Sequence, residues 1–184
     1  ANVVTFSTKN ADADLHTTSI QMTPGQATFE AVYAGEPHTF TLGMGGLFNV
    51  ENALAVLGVC QVLNISADQC ARGLAVARVP GRMELLGSAE DQVIGVVDYA
   101  HNKLAFQAFG ASVGREFPGR YIISVFGAVG TKALERRIDL PTEAANWSDH
   151  IILTEDDPGD EPVADICQQM ASQLPEGTSY EIVL

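Results

Sequence analysis

The sequence predicts an α/β protein in two parts: a small antiparallel sheet with two helices over residues 1–78, then a parallel-sheet unit over residues 79–184. Three observations carry this. Residues 1–43 alternate between polar and apolar and break often, which is the period of strands and turns. From Phe48 the apolar spacing becomes helical. From Met83 onward, apolar runs of strand length alternate with helical patterns, as in a parallel sheet covered on both faces. The composition, 46% apolar and 18% charged with a mean hydropathy of +0.10, supplies the core such a fold needs and excludes collagen, coiled coil and disorder.

In order, the runs at 3–6, 19–22, 27–33 and 39–42 read as short strands, separated by turns at Thr-Pro-Gly-Gln 23–26 and Ala-Gly-Glu-Pro 34–37. They make a hairpin or meander. Val50, Leu54, Leu57 and Val59 mark a buried helix with Asn49 as its cap, and Ser66 caps a second helix running to about Val76. Val-Pro-Gly-Arg at 79–82 interrupts the pattern and marks the boundary. Beyond it, strands are expected at 93–97, 121–126, 150–154 and 180–184. Helices are expected with Phe106, Phe109 and Val113, near 132–139, at 141–147, and from Pro162 with Val163, Ile166, Met170 and Leu174 on one side.

Charge is segregated. Nine of ten Lys and Arg residues lie between Arg72 and Arg137, and eleven acids with no base follow, for a formal net charge of −13. A nucleic-acid partner is excluded, and the acidic end suits an amine or serves as a solvated face. No apolar run reaches the length of a membrane span, so no membrane association is expected. Cys60, Cys70 and Cys167 stand singly without metal-ligand spacing, which predicts a reduced, cytoplasmic protein. The chain opens Ala-Asn-Val-Val-Thr and stops within an expected strand, as part of a longer enzyme would.

Ligands of such sheets bind beyond the carboxyl ends of the strands. Three of these ends carry polar clusters: Asp-Tyr-Ala-His-Asn 98–102, Gly-Ala-Val-Gly-Thr-Lys 127–132 and Thr-Glu-Asp-Asp-Pro-Gly 154–159. Each has a purely structural alternative: Asp98 as a helix cap, the glycines as a turn, the acids as a solvated loop. The chain has no dinucleotide fingerprint, no phosphate-binding Gly-Lys loop, no nucleophile elbow and no metal-ligand pair of histidines.

Four motifs in order, Gly-Gly-Leu-Phe-Asn-Val-Glu-Asn-Ala-Leu-Ala at 45–55, Val-Pro-Gly-Arg-Met-Glu at 79–84, Val-Asp-Tyr-Ala-His-Asn at 97–102 and Thr-Glu-Asp-Asp-Pro-Gly-Asp-Glu-Pro at 154–162, resemble the Mur ligases. Within that family they are most similar to the UDP-N-acetylmuramyl-tripeptide synthetase branch. The resemblance implies that 1–78 is the tail of a central ATPase domain and 79–184 an incomplete Rossmann-like C-terminal domain. It implies ATP-dependent amide formation through an acyl phosphate, with UDP-MurNAc-dipeptide, ATP and an amino acid as substrates, in a monomer. Mg²⁺ and the phosphate loop belong upstream, so the chain alone is expected to be inactive and to hold no catalytic residue.

Carried over by motif, Asn49 and Asn52 resemble the asparagines that face adenine, and Arg82 resembles the junction arginine that touches the nucleotide. Asp98 resembles the ribose-binding acid and His101 the histidine near the phosphates, with Asn102 beside it. Lys132 stands where relatives hold the α-carboxylate of the amino acid with Arg. The motif departs from the family at His-Asn-Lys 101–103, at Gly-Thr-Lys-Ala 130–133 and at Asp-Asp-Pro-Gly 156–159. Diaminopimelate-adding members carry Asp-Asn-Pro-Arg at the last, and that Arg binds the distal carboxylate. Gly159 in its place, with Asp156 and Asp157, is similar to the lysine-adding members and implies L-lysine as third residue. A folate polyglutamate ligase and a non-catalytic nucleotide-binding module are the alternatives.

Overall fold

The computed structural model describes residues 3–88 and 90–184. Ala1 and Asn2, which open the expected first segment, lie outside the described residues, as does Ala89. The chain forms two compact units, one ending at Tyr99 and one spanning Ala100–Leu184. No helix among the described residues is long and apolar enough to cross a membrane.

The first unit holds β1 (Phe6–Ser7), β2 (Leu15–Thr23), β3 (Gln26–Tyr33), β4 (Glu36–Leu42), α1 (Leu47–Val62), α2 (Ala67–Val76), β5 (Glu84–Leu86) and β6 (Gly95–Val97). β2, β3 and β4 form the antiparallel meander, with β1 parallel to β2 at the edge. Strict alternation puts Ala27, Phe29, Ala31 and Tyr33 of β3 inside, where Phe29 and Phe40 pack with ring centres 5.6 Å apart. The β3–β4 turn has both central residues, Ala34 and Gly35, at positive φ (52° and 87°), as a two-residue hairpin turn matched to strand twist requires.

Val50, Ala53, Leu54 and Leu57 recur at helical spacing and bury one side of α1 in the same core. Asn49 is not the cap of this helix. Gly46, at φ 87°, takes that position, and Asn49 lies inside the first turn with its side chain buried. Ser66 does cap α2, in a reciprocal capping box with Gln69. Tyr33 donates its hydroxyl proton to the carbonyl of Ile65 at 2.5 Å and so ties the sheet to the α1–α2 connection.

The expected strand at 93–97 is shorter and differently paired. Only Gly95–Val97 is extended, and it pairs antiparallel with β5 rather than joining the parallel sheet. A partner nearby in sequence closes a short loop, which costs less entropy than a distant one. Gly87 at φ 102° and Asp91, which accepts the Ser88 amide at 2.7 Å, shape that loop.

The second unit runs α3 (Lys103–Glu116), β7 (Ile123–Phe126), α4 (Arg136–Ala144), β8 (His150–Leu153), α5 (Val163–Ala171) and β9 (Tyr180–Ile182). The three strands are parallel and adjacent in chain order. Side chains of α3, α4 and α5 pack on one face with Ile151 and Leu153, and Phe106 meets Phe126 at 5.0 Å between ring centres. On the other face Ile123 and Val125 of β7 are more than half exposed, so the expected cover on both faces is absent there among the described residues. The two helices expected around Pro141 are one, with Pro141 inside α4. An internal proline costs about 3 kcal/mol, and burial of Leu140, Pro141 and Ala144 on one side offsets it.

Candidate functional site

In the first unit, α1 begins against the 79–84 turn. A Cβ on Gly46 would lie 3.1 Å from Cγ of Met83. Met83 sits at φ 46°, and its amide donates to Oδ2 of Asp98 at 2.9 Å. The start of α1, the turn bearing Arg82 and the end of β6 are thereby joined through one buried methionine. Asn49 donates from Nδ2 to the Gly45 carbonyl at 2.7 Å and accepts from Nδ2 of Asn52 at 3.2 Å. The buried carboxamide is thus engaged on both sides. It orients Asn52, which is the exposed one of the pair. Arg82 lies with its guanidinium carbon 4.6 Å from the ring centre of Tyr99. Sequence reasoning did not single out Tyr99 as a partner; its place next to the acid of the Asp-Tyr pair was the available signal.

Asp98 is not the cap of α3. Asn102 is: its Oδ1 accepts the Ala105 amide at 3.0 Å. The half-buried His101 precedes it in the second unit. Lys103, at one departure from the family motif, has a structural use. Its Nζ lies 3.7 Å from Asp139 and 3.6 Å from Glu143, linking α3 to α4.

The loops after β7 and β8 meet backbone to backbone. A Cβ on Gly130 would fall 1.7 Å from the Pro158 carbonyl oxygen, and one on Gly127 2.4 Å from that of Thr154. No side chain fits at either place. The Gly130 amide donates to the Asp157 carbonyl at 2.8 Å. Two of the three predicted strand-end clusters are therefore in contact, and Lys132 reaches Asp157 at 3.4 Å. Both side chains are two-thirds exposed at 67%, and such a pair contributes about 0–1 kcal/mol. Asp156 and Gly159 are exposed on the same loop, Gly159 at φ 57°.

Beneath this loop lies a pair that sequence reasoning missed. Arg137 grips Glu161 with two bonds of 2.9 Å, and also donates to the Val129 carbonyl at 3.2 Å and to Gln169 at 2.8 Å. Its side chain is only 6% exposed. Glu161 further accepts the Thr131 amide. The Arg137 guanidinium, followed by that amide, holds the Glu161 carboxyl below the usual range. The available signal was spacing: Arg137 falls on the helical face of Leu140, Pro141 and Ala144.

Among the described residues no group of three or more His, Cys, Asp or Glu is placed to hold a metal ion. The nucleotide candidates Asn49, Asn52, Arg82 and Asp98 belong to the first unit, and His101, Asn102, Lys132, Asp156, Asp157 and Gly159 to the second.

Residues 81–183 match the Mur ligase glutamate ligase domain and residues 1–60 the Mur ligase middle domain. The UDP-N-acetylmuramyl-tripeptide synthetase of Lactobacillus delbrueckii subsp. bulgaricus is 34% identical over 168 residues, covering 91% of this chain and 32% of that protein. The UDP-N-acetylmuramoyl-L-alanyl-D-glutamate–L-lysine ligase of Enterococcus faecalis is 35% identical over 136 residues (74% and 27%). The corresponding 2,6-diaminopimelate ligase of Corynebacterium glutamicum is 30% identical over 181 residues (97% and 35%). In fold, the chain is similar to Mycobacterium tuberculosis folylpolyglutamate synthase complexed with ADP, with a TM-score of 0.74 at 18% identity, over 94% of this chain and 38% of that one. The chain spans about a third of the length of the relatives it matches.

Proposed function

The chain belongs to the Mur ligase family, and from that premise we propose that it is part of an ATP-dependent ligase of peptidoglycan synthesis that adds L-lysine as third residue to UDP-MurNAc-L-Ala-D-Glu. In this reading 1–78 closes a central ATPase domain and 79–184 opens a Rossmann-like C-terminal domain. The substrate carboxylate attacks the γ-phosphate of ATP to give an acyl phosphate and ADP. The amine of the incoming amino acid then attacks the acyl carbon, and inorganic phosphate leaves.

The residues of this chain bind and orient. Asn52, steadied by Asn49, offers a carboxamide to the adenine edge. Arg82, laid on Tyr99, and Asp98, held by the Met83 amide, present a cation and an acid to the nucleotide. In the second unit Asn102 is taken up in capping α3, which leaves His101 as the residue offered to the phosphates. Mg²⁺ supplies charge neutralisation at the transferred phosphate in this chemistry, and no residue here is assigned to it.

One observation carries the lysine assignment. The locked 154–161 loop presents Asp156 and Asp157 with glycine at 159, and its facing cation is Lys132. The loop suits the side-chain ammonium of lysine, with Lys132 left for the α-carboxylate. A second, distal carboxylate would meet acids instead of an arginine fork. The 30% identity to a diaminopimelate ligase along nearly all of the chain favours diaminopimelate as the second reading. Competition between the two amino acids at equal concentration, with the full-length enzyme, decides: the expected product carries lysine, and a diaminopimelate product overturns the assignment.

A further inference from the structure

The turn that carries Lys132 is held in an unfavourable shape. Thr131 and Ala133, on either side of it, both have positive φ, at 57° and 49°, a conformation that side chains other than glycine rarely adopt. Its short internal bond, from the Lys132 amide to the Gly130 carbonyl at 2.7 Å, does not by itself select that shape. Something outside the turn must hold it.

The structure supplies that hold from below. Glu161 accepts the Thr131 amide with the same carboxylate that Arg137 grips. Arg137 is anchored in turn by Gln169 of α5 and by the carbonyl of Val129. Glu161 stands four residues after Asp157, on the loop whose Asp157 carbonyl takes the Gly130 amide. The two loops are thus stitched twice, once by backbone at Gly130 and once through the pair of buried Arg137 and half-buried Glu161. Arg137 makes four hydrogen bonds to three residues, and its only partner on the acidic loop is Glu161 at the loop's end, four residues beyond Asp157.

We infer that Arg137 and Glu161 are positioning residues of the amino-acid subsite: the pair fixes the Thr131–Ala133 turn against the 156–161 loop, and so sets the distance between Lys132 and Asp157. The inference rests on the ligase reading for the identity of that subsite, and on the hydrogen-bond chain alone for the tie itself. Lys132 and Asp157 are exposed and individually weakly held. Their spacing is defined by the backbone under them, and a displacement of about 1 Å at a binding site costs up to a hundredfold in turnover efficiency.

The test uses the full-length enzyme with Glu161→Ala, Arg137→Met and Glu161→Gln. The last keeps an oxygen for the Thr131 amide and for one guanidinium N–H. Amide exchange of the 130–133 segment, followed by mass spectrometry, should accelerate in the first two variants and stay near wild type in Glu161→Gln. KM for the amino acid should rise about ten- to a hundredfold in the first two, while KM for ATP stays within about twofold. Glu161→Gln should recover most of the amino-acid KM, which a loss of general stability would not explain. Unchanged exchange at Thr131 in Glu161→Ala, or equal losses for ATP and amino acid, overturns the inference. A wild-type enzyme without ligase turnover would count against the ligase reading alone, because exchange at Thr131 reads the tie without catalysis.

Discussion

The ammonium of Lys132 lies 3.4 Å from a carboxylate oxygen of Asp157, across two loops whose backbones touch at Gly130 and Pro158. With Asp156 beside Asp157 on the loop, one cation and two acids lie here, and in the proposed reading they bear on which amino acid the enzyme takes. At Gly159 the family resemblance implies arginine in diaminopimelate-adding members, but here the position has φ 57° with open space around it. Gly159→Arg therefore meets no clash, yet it places a side chain in the left-handed region at a cost of about 1–2 kcal/mol. The variant should unfold at lower denaturant by that amount and should still reject diaminopimelate, because Asp156 and Asp157 remain. Efficient diaminopimelate use by Gly159→Arg alone would sink the reading of the acidic loop.

Asp98 can be tested apart from the backbone bond it makes. Asp98→Ala removes both the carboxylate and the acceptor for the Met83 amide. Asp98→Asn keeps an acceptor and loses the charge. If the carboxylate takes ribose hydroxyls, each such bond is worth about 1.5–3 kcal/mol, so KM for ATP should rise roughly ten- to a hundredfold in Asp98→Ala. Asp98→Asn should lose affinity for ATP while keeping near wild-type stability. Equal KM for ATP in wild type and Asp98→Ala refutes a nucleotide role.

Asn102 calls for the opposite outcome. Its side-chain oxygen caps α3 through the Ala105 amide. Asn102→Ala should cost about 1 kcal/mol of stability, and Asn102→Asp should restore it, since both residues cap well. A nucleotide-binding role predicts instead that KM for ATP rises in both variants. Thermal denaturation and ATP kinetics on the same preparations separate the two.

Local patterns account for what the sequence made legible. The alternation of β3 and the Ser66 cap of α2 each sit within a few residues, and the structure repeats them. The pairing of β6 with β5 was not legible, because an apolar run does not name its partner. The continuity of α4 through Pro141 depends on burial that only the packed core supplies. Among the candidate site residues, the motifs pointed to Asp98 and Lys132 as positions, but not to Met83 and Asp157 as the groups they touch. Arg137 and Glu161 are twenty-four residues apart, and an ion pair across that separation leaves only the weak mark of a charged residue on an apolar helical face.

Gly110 predicts a reversal of the usual helix rule. In an exposed helix, replacing glycine by alanine stabilises by roughly 1 kcal/mol. Here a Cβ would fall 2.4 Å from Cδ1 of Trp147, a half-buried ring that also packs on Phe106 and Phe109. The ring cannot retreat without disturbing that cluster, so Gly110→Ala should destabilise by about 1–3 kcal/mol in denaturant unfolding. A gain in stability would mean that α3 and Trp147 stand farther apart.

Tyr33 gives a dependence on pH whose sign can be worked out. Burial, aided by the neighbouring Cys70 thiol, pushes its hydroxyl up to about 12 from an ordinary 10. The folded form thus keeps its proton between those values while the unfolded form loses it. The stabilisation is fully present below pH 10 and falls as pH rises toward 12, where the folded hydroxyl also ionises. The proton it keeps is the one donated to the Ile65 carbonyl. Tyr33→Phe should cost about 1 kcal/mol at neutral pH, from the lost bond to that carbonyl, and should flatten the fall in stability between pH 10 and 12. Urea unfolding at a series of alkaline pH values measures both effects, and an equally steep alkaline loss in Tyr33→Phe would assign the dependence to other groups.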